Sequence, residues 1–385
     1  MKKYILLLLV FFTAFPFVKA NIPIVGAEQP DCYIPMLLGK RVGLVVNQTS
    51  MVEDVHLVEF VKNHGIEIVR VFAPEHGFRG AKEAGEKIGN DIDPKTGIPI
   101  VSLYGKNEKP TPEQIKDLDV VVFDIQDVGC RFYTYISTLH LVMEACAEQH
   151  KPLLILDRPN PNGDYVDGPV LQNDFKSFVG MDPIALVHGC TIGELAKMID
   201  GEGWLGNNLH CNLTIIPVLD YVHSDRYSPS VAPSPNLPND QAIRLYPSLC
   251  LFEATNASIG RGTEFPFQVI GFPDPKMGKF SFTPQSIAGK AVTPIQKGIT
   301  CYGHDLRAVK PPHFTLSYIL DCYRKLKNNK DFTFDEKWFN KLMGNDTVLK
   351  LMKMGKSEKA IRQSWAKELA GYKDIRKKYL LYPEE

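Results

Sequence analysis

Residues 41–47 read RVGLVVN, and a second apolar run, EIVRVFA, follows at residues 67–73. Continuous runs of valine and isoleucine are typical of strands that are covered on both faces, as in a parallel sheet. Residues 54–64, between the two runs, have the pattern of a helix. A strand, a helix and a second strand in this order predict a βαβ unit with two parallel strands.

The alternation of strands and helices continues to residue 218. Further strands are predicted at 98–103, 119–124, 152–157 and 213–218, and further helices at 111–118, 134–150 and 191–204. Thr111 is a suitable N-cap for the first of these helices, and Pro112 suits its first helical position. The pattern therefore predicts an α/β fold with a Rossmann-like, doubly wound, mainly parallel sheet.

The first twenty residues have the layout of a secretory signal peptide. Lys2 and Lys3 precede an apolar run, and Ala20 provides a small residue at the cleavage position. The apolar run is short for a membrane span, although an uncleaved N-terminal anchor is the alternative. We expect an exported protein, periplasmic or secreted, with no stable membrane insertion after cleavage of segment 1–20.

The rest of the chain divides into two predicted domains. Residues 21–222 form the Rossmann-like catalytic domain. A proline-rich stretch then introduces strand-like fragments at 268–272 and 291–302 and a helical C-terminus from about residue 316. Residues 223–385 are therefore predicted to form a second, smaller α+β domain that completes the cleft.

The charge balance bears on binding partners, and the cysteine spacing bears on disulfide bonds. Basic and acidic residues both number 44, and no long basic run precedes the C-terminal helix, so the sequence predicts no nucleic-acid binding. The eight cysteines are widely spaced and contain no CxxC motif. Their pattern is compatible with disulfides in an exported protein and equally with buried thiols. The sequence makes no prediction of the oligomeric state.

The sequence lacks the motifs of three other kinds of functional site. A dinucleotide site needs a glycine-rich turn after the first strand, and residues 47–54 read NQTSMVED. A serine hydrolase needs a GxSxG elbow, and the nearest match, NASIG at 256–260, lacks the first glycine. His76, His188 and His304 each stand without a second ligand at metal spacing. The sequence thus predicts a hydrolase with no cofactor and no metal.

Carboxylates follow two of the predicted strands. Glu75 lies in PEHGFRG after the strand at 67–73, while Asp124 and Asp127 lie in DIQDVGCRFYTY after the strand at 119–124. Ligands of such sheets bind at the carboxyl ends of the strands. Carboxylates across a cleft beside aromatic rings are what glycoside hydrolysis requires. The alternative is that Asp124 or Asp157 caps a helix or pairs with Arg131 or Arg158.

Six strings resemble those of the exo-β-N-acetylmuramidase family. They are FAPEHGFRG (72–80), DIQDVGCRFYTYISTL (124–139), LDRPNPNG (156–163), HGCTIGELA (188–196), PNLP (235–238) and YPSLCLFEATNASIGRGTEFPF (246–267). The resemblance implies an exo-acting glycosidase that releases N-acetylmuramic acid from the non-reducing end of peptidoglycan fragments. It also implies a cleft between a Rossmann-like domain and an auxiliary domain.

The resemblance supplies the candidate site residues. Glu75 is the candidate general acid, and Asp124 and Asp127 are the other candidate catalytic residues. Tyr133 or Tyr135 is expected to stack on a pyranose ring, and one of Arg131, Arg158 and Arg261 is expected to pair with the lactyl carboxylate. The candidate substrate-binding residues are Asn47, His76, Arg79, Arg131, Tyr133, Arg158, Asn160, His188, Glu253, Asn256, Arg261 and Glu264.

Two other functions stay open at this point. One is a non-catalytic periplasmic protein that binds peptidoglycan fragments, and the other is a peptidoglycan esterase or amidase. Several carboxylates at one sheet edge favour the glycosidase over a pure binding protein. Retaining, inverting and substrate-assisted mechanisms are all compatible with the sequence.

Overall fold

The computed structural model describes residues 22–79 and 91–385. The predicted signal peptide, residues 1–20, lies outside the described residues. Within the described part of the chain, no helix is both long enough and apolar enough to cross a membrane.

The described chain alternates strands and helices in its first half and ends in helices. The strands are β1 Arg41–Val46, β2 Met51–Val52, β3 Val55–His56, β4 Glu67–Ala73, β5 Asp91–Ile92, β6 Pro99–Ser102, β7 Val120–Asp124, β8 Leu153–Leu156, β9 Asp167–Val170, β10 Ala185–Val187, β11 Leu213–Ile216, β12 Val269–Phe272, β13 Phe280–Phe282 and β14 Cys301–Asp305. The helices are α1 Pro30–Leu37, α2 Leu57–Asn63, α3 Pro112–Ile115, α4 Tyr135–Glu148, α5 Ile192–Gly201, α6 Asp240–Leu249, α7 Ser317–Leu326, α8 Glu336–Met343, α9 Thr347–Lys353, α10 Glu358–Gln363 and α11 Ala366–Lys377.

Seven strands form the central sheet in the order β11-β8-β7-β1-β4-β6-β5. All pairs are parallel except β5 with β6. From β1 the chain runs outward through β4 to β6, then returns to β7 on the other side of β1 and continues to β8 and β11. This order confirms the predicted doubly wound, Rossmann-like sheet, and its reversal point lies between β1 and β7.

The second half of the chain is mixed α+β, as predicted. It contains the antiparallel sheet β12-β14-β13 and the helices from α6 onward. One hydrophobic core runs through both halves and includes Val45, Leu139, Leu249, Leu316 and Tyr372. The predicted boundary at residue 222 stays a prediction.

The C-terminal residues return to the sheet of the first half. The Tyr382 hydroxyl donates to Asp157 Oδ2 at 2.6 Å, and the Tyr372 hydroxyl donates to the carbonyl of His188 at 2.8 Å. Asp157 follows β8 and also accepts the Thr191 hydroxyl at 2.6 Å. The C-terminal residues therefore stabilise the loops that follow β8 and β10.

Some local predictions differ from the structure. The strand fragment predicted at 291–302 is wrong for most of its length, because turns occupy this region until β14 begins at Cys301. Strands β9 and β10 and helix α6 have no counterpart among the predictions. All eight cysteines are free thiols, and seven of them are buried, as the thiol alternative expected.

Candidate active site

A cavity of about 630 Å³ opens where β4, β6 and β7 end. Its wall combines loops that follow these strands with elements of the second half of the chain. The wall includes Glu75, His76, Tyr104, Glu108, Phe132, Tyr133, Thr134, Tyr135, Phe178, Tyr246, Glu253, Arg261, Phe267, Trp338 and Lys341. This volume and this mixture of aromatic and ionisable groups are typical of a small-molecule site.

A tight turn after β4 brings Glu75 to the cavity. The turn is closed by the Gly77 N–H, which donates to the carbonyl of Pro74 at 3.0 Å. His76 has a φ of +70°, in the left-handed region that residues other than glycine rarely adopt. Such strained residues concentrate at functional sites, where the surrounding structure holds them in place. Glu75 and His76 both line the cavity.

Hydroxyl groups hold the Glu75 carboxylate. The Thr134 hydroxyl donates to Glu75 Oε2 at 2.7 Å. Burial raises the pKa of Tyr104, and the neighbouring Glu75 carboxylate, to which its hydroxyl is hydrogen-bonded, raises this pKa further. The Tyr135 hydroxyl lies 3.4 Å from the Glu75 carbonyl oxygen. Three elements, the turn after β4, the loop after β6 and the start of α4, thus fix the position of Glu75.

Two further carboxyl groups line the same cavity. Arg261 Nη2 donates to Glu253 Oε1 at 2.7 Å, and the Arg261 guanidinium lies 5.0 Å from the Phe267 ring centroid. Burial raises the pKa of Glu108. The cavity therefore presents Glu75, an ion-paired Glu253 and a partly buried Glu108, which is a carboxyl set suited to acid–base chemistry on a glycosidic bond.

Five of the predicted site residues line the cavity. They are Glu75, His76, Tyr133, Glu253 and Arg261. Sequence reasoning did not select Tyr104, Glu108, Thr134, Phe178, Trp338 or Lys341, which also line it. Tyr104 directly follows the strand predicted at 98–103, so the strand-end rule brings it to this edge of the sheet. Thr134 begins the helix predicted at 134–150, ten residues after the strand at 119–124, and has no such signal.

Asp124 lies in a buried ion pair away from the cavity wall. It is fully buried, and both of its carboxylate oxygens accept from Arg158, one of them from Nη2 at 2.9 Å. The Asn47 side-chain oxygen accepts the backbone N–H of Thr49 at 2.9 Å. Asn47, Asp124 and Arg158 lie at or just after the carboxyl ends of β1, β7 and β8. The structure thus pairs Asp124 with Arg158, as the alternative interpretation expected, and it places the candidate substrate-binding residue Asn47 in contacts within the domain.

Asp127, His188 and Asn160 connect the loops after β7, β10 and β8. Asp127 Oδ2 accepts the N–H of Gly129 at 2.6 Å and lies 3.3 Å from His188 Nε2. Asn160 Nδ2 donates to the carbonyl of Cys190 at 2.9 Å. All three side chains are buried, and none is in the cavity wall. Their contacts indicate that they position the loops.

Arg131 is buried among backbone carbonyls. Its side chain donates to Pro169 O at 2.7 Å, Ile184 O at 2.9 Å and Leu342 O at 3.0 Å. Burial lowers its pKa to about 9. Because Leu342 belongs to α8, Arg131 connects the β9–β10 hairpin to a helix that forms part of the cavity wall. It does not itself reach the cavity.

The remaining three predicted residues lie outside the cavity wall. Arg79 pairs with Glu59 at 2.8 Å and with Asp93 at 3.0 Å. The Asn256 side chain accepts the N–H of Thr333 at 2.9 Å. Glu264 is exposed. The geometry supports no substrate contact for these residues.

No group of three or more histidine, cysteine, aspartate or glutamate residues suited to a metal ion is found in the described ranges 22–79 and 91–385. The prediction of a metal-free and cofactor-free site stays a prediction.

Both halves of the chain match models of known protein domains. Residues 42–241 match the model for the N-terminal domain of the exo-β-N-acetylmuramidase NamZ, and residues 244–382 match the model for its C-terminal domain. The chain belongs to the exo-β-N-acetylmuramidase family. The resemblance found in the six sequence strings is thereby confirmed.

Relatives of known sequence or structure cover nearly the whole chain. The peptidoglycan β-N-acetylmuramidase NamZ of Bacillus subtilis (strain 168) is 39% identical, over 92% of this chain and 89% of the relative. A DUF1343 family protein of Bacteroides fragilis NCTC 9343 has a crystal structure with 44% identity and a TM-score of 0.87, covering 95% of this chain and 100% of that one. A second DUF1343 protein of the same organism has 27% identity and a TM-score of 0.79, covering 94% and 99%.

Proposed function

We propose that this protein is an exo-acting glycoside hydrolase that releases terminal N-acetylmuramic acid from the non-reducing end of peptidoglycan fragments. Membership of the family and the 39% identity to the Bacillus subtilis muramidase support this activity. The observation that carries the proposal is the position of Glu75 at the wall of the cavity, beside the Thr134 hydroxyl at 2.7 Å.

Glu75 serves as the general acid in this proposal. Its carboxyl group gives a proton to the glycosidic oxygen as the bond from that oxygen to the anomeric carbon breaks and positive charge develops on the sugar ring. Thr134 and Tyr104 fix the carboxyl group from two sides, which keeps the proton directed at one atom of the substrate.

Glu253 is our candidate for the second carboxylate. It lines the same cavity and is held by Arg261 at 2.7 Å. A carboxylate in this position stabilises the positive charge of the sugar or accepts a proton from water. In a substrate-assisted mechanism the acetamido group of the substrate attacks the anomeric carbon, and Glu253 orients that group.

Export is part of the same proposal. Peptidoglycan lies outside the cytoplasmic membrane, so the signal-peptide layout of residues 1–20 would bring the enzyme to its substrate. Intact-mass analysis of the protein recovered from the envelope or the medium tests this point, and we expect an N-terminus at residue 21. Recovery of the full-length chain in the cytoplasm would contradict it.

The assignment of Glu75 is tested with a chromogenic N-acetyl-β-muramide. We expect Glu75→Gln to lower kcat by roughly 100-fold or more, because an amide cannot supply the proton. The matched control is Glu264→Gln, since Glu264 is exposed and lies outside the cavity wall. The control should retain the wild-type rate. Wild-type turnover by Glu75→Gln would show that another group is the acid.

A further inference from the structure

An anionic sugar needs a cation in this cavity. N-acetylmuramic acid carries a lactyl carboxylate, and the cavity wall already contains the carboxyl groups of Glu75, Glu108 and Glu253. The lactyl carboxylate loses hydration when it enters the cavity, and its binding is unfavourable unless a positive group compensates the charge.

The arginines expected from the sequence do not meet this need. Arg131 and Arg158 are buried outside the wall, where carbonyl groups and Asp124 accept from them. Arg261 lines the cavity, but it is ion-paired with Glu253. Among the described wall residues the other permanent cation is Lys341, and none of the described carboxylates lies within ion-pair distance of its ammonium group.

Lys341 reaches the cavity from α8, together with Trp338. The two residues are three positions apart, so their side chains lie on the same face of the helix. The intervening Phe339 is fully buried, as is Leu342, which follows them. The Trp338 and Lys341 pair is thus carried by a helix that is anchored in the core.

Both ends of α8 are fixed. Asp335 caps its first turn by accepting the N–H of Trp338 at 3.0 Å. At the other end Gly344 adopts the left-handed conformation with a φ of +76°, and Arg131 donates to the Leu342 carbonyl at 3.0 Å. A helix held in this way fixes the positions from which the half-buried Trp338 and the exposed Lys341 extend to the cavity.

We propose that α8 selects muramic acid: the Lys341 ammonium pairs with the lactyl carboxylate while the Trp338 ring packs against the sugar. This inference rests on the proposed function and adds to it the residues that distinguish muramic acid from N-acetylglucosamine, which lacks the lactyl group. A charge-assisted contact of this kind is worth roughly 10- to 100-fold in affinity.

The test measures binding rather than turnover. Free N-acetylmuramic acid and N-acetylglucosamine are titrated calorimetrically into the wild-type protein, Lys341→Met and Lys341→Arg. We expect the wild type to bind N-acetylmuramic acid more tightly than N-acetylglucosamine. Lys341→Met should lower the affinity for N-acetylmuramic acid roughly 10- to 100-fold and leave the affinity for N-acetylglucosamine unchanged. Lys341→Arg should recover most of the lost affinity. The matched control is Lys337→Met, an exposed lysine of the same helix outside the cavity wall.

The outcomes separate this inference from the proposed function. An unchanged preference in a Lys341→Met protein with wild-type melting temperature overturns the role of Lys341, whether or not the enzyme hydrolyses muramides. A lost preference supports it even if no hydrolysis is found, in which case the proposed activity alone fails. Should Lys341→Met unfold, Lys341→Gln is measured in the same way, with the same two results.

Trp338 is tested separately with Trp338→Leu. Stacking does not involve the lactyl group, so we expect both sugars to bind roughly 10-fold more weakly. A loss confined to muramic acid, or no loss for either sugar, would overturn the stacking role.

Discussion

Replacing Arg158 with methionine should destabilise the protein without removing the catalytic groups. The substitution leaves the fully buried Asp124 carboxylate without the cation that donates to both of its oxygens. Breaking a buried ion pair by removing one partner costs about 3–5 kcal/mol. With an unfolding entropy of about 2.1 cal/mol/K for each residue, a chain of this size should then melt roughly 4–6 °C lower.

The assay is urea unfolding followed by tryptophan fluorescence, with muramide kinetics on the folded protein. The double variant Asp124→Asn/Arg158→Met should have a free energy of unfolding about 1–2 kcal/mol higher than that of Arg158→Met, because the neutral amide is less costly to bury than the unpaired carboxylate. Arg307→Met is the control, since its pair with Asp305 at 2.7 Å is exposed and such pairs contribute little to stability.

Two results would refute this reasoning. Wild-type stability of Arg158→Met would show that Asp124 does not need its partner. A loss of roughly 100-fold in kcat for a folded Asp124→Asn protein would show that Asp124 acts in catalysis, although it lies outside the cavity wall.

Two further predictions concern Asp157 and Thr134. Burial raises the pKa of Asp157 to about 6 in the folded state, above the value of about 3.9 in the unfolded chain. The folded state therefore binds the proton more tightly, and the contribution of Asp157 to the free energy of unfolding falls by about 2 kcal/mol from pH 4 to pH 7. Unfolding at several pH values should show this decrease in the wild type and not in Asp157→Asn, and equal pH dependence would contradict it. Thr134→Val removes the 2.7 Å hydrogen bond to Glu75. The substitution should lower kcat roughly 5- to 10-fold at unchanged melting temperature. Steady-state kinetics measure this effect, and an unchanged kcat would contradict it.

The sheet could be predicted because its strands carry their signal locally. Strands such as β1 and β7 are continuous apolar runs with every interior residue buried. Strand β9 reads DGPV and has no such run, and β10 has only three residues. These short strands depend on their partner, on Arg131 and on α11 for their conformation, and none of these contacts is visible in the local sequence.

The site was only partly predictable for a related reason. The strand-end rule brings Glu75, Asp124 and Asp127 to one edge, but it does not say which side chains point into the cavity. The turn at Glu75, with His76 in the left-handed region, exposes Glu75 to the cavity. The turn after β1 instead encloses Asp124, because the Ser50 hydroxyl donates to the Asp124 carbonyl. Trp338 and Lys341 come from a distant helix, so only packing of the two halves shows them.

The central claim is tested most directly with a disaccharide of N-acetylmuramic acid β-linked to N-acetylglucosamine, analysed by liquid chromatography and mass spectrometry. We predict that the wild type releases free N-acetylmuramic acid, that it leaves intact the reverse disaccharide with N-acetylglucosamine at the non-reducing end, and that Glu75→Gln releases neither sugar. Binding of the first disaccharide without any release would contradict the claim and identify a capture protein.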